Sequence, residues 1–199
     1  MTAPALRAFV VLAAAAIAGH AAAQEVSAND IVAPRYLLQA PGGQVVTDSD
    51  FPGRFQLITF GYTFCPDVCP TTLAAMTMAL KELGEQARFV QPIFITVDPE
   101  RDTLPVLGRY TEFFDSRILG LTGSADLVHA AADHFHVTYR KFLEPGKPAD
   151  RYAVDHTAGM FVLGPDGGYV TRFAYSTPPG EVAARLRKLI ADLPPPAKH

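Results

Sequence analysis

The chain has 199 residues, with 17 Lys and Arg against 20 Asp and Glu and a formal net charge of −3. That balance gives nucleic-acid binding no electrostatic footing, and the length suits one domain with a sizeable core. Only two cysteines are present, which excludes a disulfide-dense scaffold.

The N-terminus, MTAPALRAFVVLAAAAIAGHAAAQ, has one positive charge at Arg7, an apolar run from Ala8 to Ala18, and then Ala21, Ala22 and Ala23. This is the three-part pattern of a secretory signal over residues 1–23, with cleavage after Ala23. The run is shorter than the roughly 20 residues of a membrane-spanning helix; an uncleaved anchor is the alternative. Loss of the leader removes Arg7 and no acid, so the mature chain stays acidic. Export to a periplasm is the expected outcome, and there a disulfide can persist.

Residues 24–193 read as one domain, and the proline-rich 194–199 as a flexible tail. LLQAPGGQVVTD predicts an N-terminal hairpin turning at Pro41-Gly42-Gly43. RFQLITFGYT, β-branched and aromatic, predicts a buried strand that feeds directly into FCPDVCP. From Thr71, Leu73, Met76, Leu80 and Leu83 recur at helical spacing. RFVQPIFITVD is a second strand, DTLPVLGRYTEFF a helix with proline in its first turn, and RILGLTG a short third strand. Ser124 caps the next helix. VTYRKFL is an outer strand and EPGKPADRYAVDH a loop, either an ordinary surface connection or a lid. AGMFVLGPDGGYVTRF is a hairpin turning at Gly164–Gly167, and Val182, Leu186, Leu189, Ile190 and Leu193 line a last helix. The alternation predicts an α/β fold, a central mixed sheet flanked by helices with the hairpin as an N-terminal extension.

Cys65 and Cys69 therefore fall at the C-terminal end of a strand, where α/β sheets place their chemistry. Pro70 suits a first helical turn, which puts Cys69 at the cap, facing the positive end of the helix dipole with a lowered pKa. Spacing leaves three readings open: a staple, a redox pair, or part of a metal site. A five-residue loop gives a staple little entropic leverage. A metal site needs a third ligand. His129, His134 and His136 lie on or just after a helix; His156, in YAVDHTAGMFVL, enters an apolar strand, and Asp155 is available to hold one ring nitrogen.

FGYTFCPDVCP, VDPERDT and YAVDHTAGMFVLGPDG, in that order, resemble the Sco/SenC family, and the likeness runs over nearly all of the mature chain. The resemblance implies a thioredoxin-like, copper-binding domain with Cys65, Cys69 and His156 as metal ligands and Asp67 and Asp155 supporting them. It implies delivery of copper to the CuA centre of cytochrome c oxidase, with a CuA-domain subunit as partner, a copper donor or thiol reductant upstream, and a monomeric state. The alternative it carries is a thiol–disulfide oxidoreductase, with Cys65 and Cys69 as the redox pair that keeps the CuA cysteines reduced. Phe64 stands where many relatives have histidine.

The donor set agrees with that chemistry: two thiolates select Cu(I), and an imidazole lets the same site hold Cu(II). Met160 is an available thioether but sits in an apolar strand; Met76 belongs to the core stripe. Against general thioredoxin activity stand a three-residue spacing and the absence of proline in Val154-Asp155-His156-Thr157. PERD reads as a solvated connector with Arg101 and Asp102 paired locally, or as a docking loop.

Overall fold

In the computed structural model, residues 35–143, 146, 148 and 151–193 are described. The leader, any cleavage or anchoring there, and the 194–199 tail lie outside them. Among the described residues no helix is long and apolar enough to cross a membrane.

The chain opens with a hairpin of β1 (Leu37–Gln39) and β2 (Val45–Thr47), antiparallel around the expected Pro41-Gly42-Gly43 turn. β3 (Phe55–Gly61) and β4 (Val90–Thr96) are buried along their whole length, which is why both read as continuous apolar runs without alternation. Between them runs α1 (Val68–Leu83). α2 (Leu104–Phe114) starts after Thr103 with Pro105 in its first turn, and leads to β5 (Leu119–Leu121). α3 (Ala125–His134) is capped by Ser124, whose side chain accepts the Leu127 amide. Then come β6 (Tyr139–Leu143), β7 (Tyr152–His156), β8 (Met160–Leu163), β9 (Tyr169–Phe173) and α4 (Pro179–Ala191).

The central sheet has the order β5-β4-β3-β8-β9. β3, β4 and β5 are parallel, whereas β8 and β9 run antiparallel. The sheet is therefore mixed, as the alternation of elements predicts. Side chains of successive strand residues point to opposite faces, and the aromatic contacts follow that rule. Phe60 and Phe161 meet Phe135, which closes α3, on one face. Phe94, paired across from Thr59, meets Tyr110 of α2 on the other. Helices thus cover both faces, and Leu57, Ile58, Leu73, Met76, Ile93 and Leu186 are sealed between the layers.

One expected boundary moves. The stretch taken as a loop up to His156 closes with a strand: β7 pairs antiparallel with β6, from Tyr139 opposite His156 to Leu143 opposite Tyr152. This two-stranded ribbon is not hydrogen-bonded into the central sheet.

Candidate metal centre

The site is built where β3 ends and α1 begins. Gly61 closes β3 with no room for a side chain, since a Cβ there would lie 2.7 Å from Cys69 Sγ and 2.8 Å from the Phe94 ring. The absence of that carbon lets α1 lay its first turn against the strand end. The approach to Cys65 is held from outside the motif. Asp102, fully buried, accepts the Thr63 amide at 3.0 Å, the Thr63 hydroxyl at 2.6 Å and the Thr96 hydroxyl at 2.6 Å. One carboxylate thereby ties the cysteine loop to the end of β4.

Cys65 and Cys69 are free thiols, the first half-buried and the second buried. Asp67, not Cys69, occupies the cap of α1, and its side chain makes no capping bond. Cys69 lies in the first helical turn, and its amide donates to Cys65 Sγ at 3.4 Å. The expectation that Cys69 faces the positive helix end with a lowered pKa is thus reversed. Hydrogen bonding from Cys69 holds the Cys65 thiol down to about 5 against the opposing effect of burial, helped by the Asp67 and Cys69 backbone and by His156. Cys69, which gives that hydrogen bond and is more deeply buried, is pushed up.

His156 reaches the pair from the end of β7. Its Nε2 is 3.4 Å from Cys69 Sγ, and its Nδ1 is 3.1 Å from the Thr157 carbonyl. A carbonyl only accepts, so Nδ1 donates to it, and Nε2 is the nitrogen turned toward the sulfurs. Asp155 does not hold the ring. Along β7, Tyr152, Val154 and His156 share the inner face, while Ala153 and Asp155 are exposed on the other. Asp67 is likewise exposed.

The ligand atoms of Cys65, Cys69 and His156 lie within 4.8 Å of one another, the one such three-donor group among the described residues. Two sulfurs and an imidazole nitrogen around an opening between the cysteine loop and β7 form a donor set for a soft or borderline cation. Among the described residues, His129, His134 and His136 do not join this group; His129 faces Asp133 on the surface of α3. Met160 and Met76 are core residues, and Met78 is exposed.

The charged stretch after β4 also departs from expectation. Asp98 and Asp102 are fully buried, and Arg101 pairs with Asp98 rather than Asp102. Its guanidinium lies over the rings of Tyr152 at 3.6 Å, Phe64 at 4.9 Å and Tyr62 at 5.6 Å. Sequence reasoning missed Gly61, Asp98, Arg101, Asp102 and Tyr152. The apolar and aromatic stretches flanking VDPERDT and the cysteine motif were the only signal that its charges would be buried.

The SCO1/SenC family model matches residues 24–191. The chain belongs to the SCO1/SenC family. The mitochondrial SCO1 homolog of Homo sapiens is 38% identical over 149 residues, covering 72% of this chain and 48% of the human protein. The mitochondrial SCO1 homolog 2 of Arabidopsis thaliana is 35% identical over 164 residues, covering 82% of this chain and 58% of its own. The chain spans about half the length of these curated relatives. Among solved structures, Arabidopsis thaliana ScoI with copper bound superposes with a TM-score of 0.74 at 30% identity, covering 81% of this chain and 98% of that one. Bradyrhizobium japonicum ScoI with copper bound gives 0.71 at 36% identity, covering 80% and 99%. The fold is thioredoxin-like, as its SCO1/SenC neighbours are.

Proposed function

We propose that the chain is an exported copper-binding protein that loads copper at Cys65, Cys69 and His156 and delivers it to the CuA centre of cytochrome c oxidase. The observation that carries this reading is the convergence of the two sulfurs and the His156 ring nitrogen within 4.8 Å. Copper-bound structures of two SCO1/SenC proteins support it.

Copper is cargo here, and the chain's residues act on it in sequence. Cys65, already a thiolate near neutral pH, makes the first capture. Cys69 gives up its proton as copper arrives, because the ligand form of cysteine is the thiolate. His156 supplies a ring nitrogen, since its Nε2 faces the pair while Nδ1 meets the Thr157 carbonyl. Three protein donors leave one side open, so an acceptor's ligands enter there before these leave. The periplasm is the compartment that fits the leader and the oxidation-prone dithiol. Oxidation to a Cys65–Cys69 disulfide removes both sulfur donors and abolishes loading.

The test is transfer from the copper-loaded, purified protein to a CuA domain stripped of metal and kept fully reduced, followed by the absorption bands of the assembled centre. The expected result is near-stoichiometric assembly with loaded protein and none with the copper-free form. Copper that stays put, together with reduction of an oxidised CuA domain by the copper-free protein, would replace this reading with the dithiol–disulfide one.

A further inference from the structure

The β6–β7 ribbon carries one of the three donors, yet lies outside the central sheet. Something other than ladder hydrogen bonds must hold His156 against the cysteine loop. The inner face of β7 offers three side chains for this: Tyr152, buried Val154 and His156. Val154 supplies contact without direction. Tyr152 is gripped on three sides.

Its hydroxyl donates to Asp98 Oδ1 at 2.7 Å, and its backbone carbonyl accepts from Arg101 Nη1 at 3.0 Å. Its ring lies flat beneath the Arg101 guanidinium at 3.6 Å. Arg101 Nε is paired with the fully buried Asp98, which anchors the cation to the end of β4. The same guanidinium also lies over Phe64, next to Cys65, and Tyr62, whose ring meets His156 edge-on at 6.1 Å. Its remaining nitrogen, Nη2, is buried and finds no hydrogen-bond partner among the described residues. Desolvation of this cation is therefore offset by Asp98, one carbonyl and the aromatic faces. A planar fork does all of this at once; an ammonium cannot. Of the ribbon's other links, the Val154 backbone meets Tyr62, and Lys141, 4.8 Å from the centroid of the Tyr152 ring, reaches Glu100 at 2.6 Å in a largely exposed pair of the kind that contributes little.

We infer that Arg101 is a positioning residue for the metal centre: locked on Asp98, it clamps Tyr152 and thereby sets His156 opposite the two cysteines. The inference rests on the copper-site reading for its functional consequence, but its mechanical part does not need metal.

Two variants separate these parts. Arg101→Met removes the cation, while Tyr152→Leu removes its seat and leaves the Asp98–Arg101 pair intact should the first fold poorly. In copper-free protein, exchange of the ladder amides of Ala153 and Asp155 is expected to rise about tenfold or more in both variants, with the β3 amides as the reference for global opening. Copper affinity is expected to fall about ten- to a hundredfold in the wild-type background and to be unaffected when the same changes are made on His156→Ala. Arg140→Ala, an exposed change on the same ribbon, leaves both readouts at wild-type values. Unchanged exchange at Ala153 and Asp155 would overturn the clamp, as would equal affinity losses in both backgrounds, which mark a general structural role. If His156→Ala itself binds copper as tightly as wild type, the ligand assignment falls, and the exchange measurement alone decides the clamp.

Discussion

Cys65 and Cys69 differ in what their surroundings ask of them. The Cys65 sulfur receives hydrogen bonding from Cys69 and lies before the first turn of α1, so it holds a negative charge down to about pH 5. Cys69 is buried and keeps its proton as the donor of that bond. Because the Cys65 pKa is depressed, its reactivity should be level through neutral pH and fall about tenfold per unit below pH 5. Alkylation of the copper-free protein followed by mass spectrometry should label Cys65 first at pH 7. First labelling of Cys69 would contradict the assignment. Copper uptake should in turn release the Cys69 proton, so affinity rises with pH across the neutral range, which titration in buffers of different ionisation enthalpy would register. None of this asymmetry is visible in the spacing CPDVC. It depends on which residue takes the helix cap, and boundaries of one or two residues are the least local feature of a helix.

At the scale of elements, the site is a junction of three pieces: the β3–α1 corner, the loop after β4, and the free ribbon β6–β7. Gly61 is the packing point of the first. In Gly61→Ala the new carbon meets Cys69 Sγ and the Phe94 ring well inside contact distance, so α1 must shift. The expected cost is about 1–3 kcal/mol in denaturant unfolding, together with weaker copper binding; full retention of both would show that the corner has slack. Most of these elements were legible beforehand. β3 and β4 announce themselves as unbroken apolar runs, α1 by its Leu73–Leu83 stripe, and the β8–β9 hairpin by Gly164-Pro165-Asp166-Gly167. β7 was not, because a Gly- and Pro-rich stretch precedes it and its inner face of Tyr152, Val154 and His156 alternates only briefly. The role of VDPERDT was hidden for another reason. Four charges within five residues look solvated, and the burial of Asp98 and Asp102 is decided by nearby Thr96 together with Thr63 and Tyr152, which are close in space but 39 and 54 residues away along the chain.

For the whole molecule, the fold acts as a rigid frame for a small opening at one end of its sheet. The parallel half, β3 and β4, fixes the cysteine loop through Gly61 and Asp102, and the ribbon brings the imidazole from a different part of the chain. A site assembled this way leaves Phe64 exposed beside the opening, 61% accessible. Three separated motifs make the donor set readable from sequence; their convergence is a property of the fold.

One copper ion held by both sulfurs and the imidazole together would leave its signature in X-ray absorption of the copper-loaded protein. The expected shell is two sulfur atoms and one nitrogen, with loss of the nitrogen in His156→Ala and loss of tight binding in Cys65→Ser. A shell lacking either sulfur, or a spectrum that His156→Ala leaves unchanged, would contradict it.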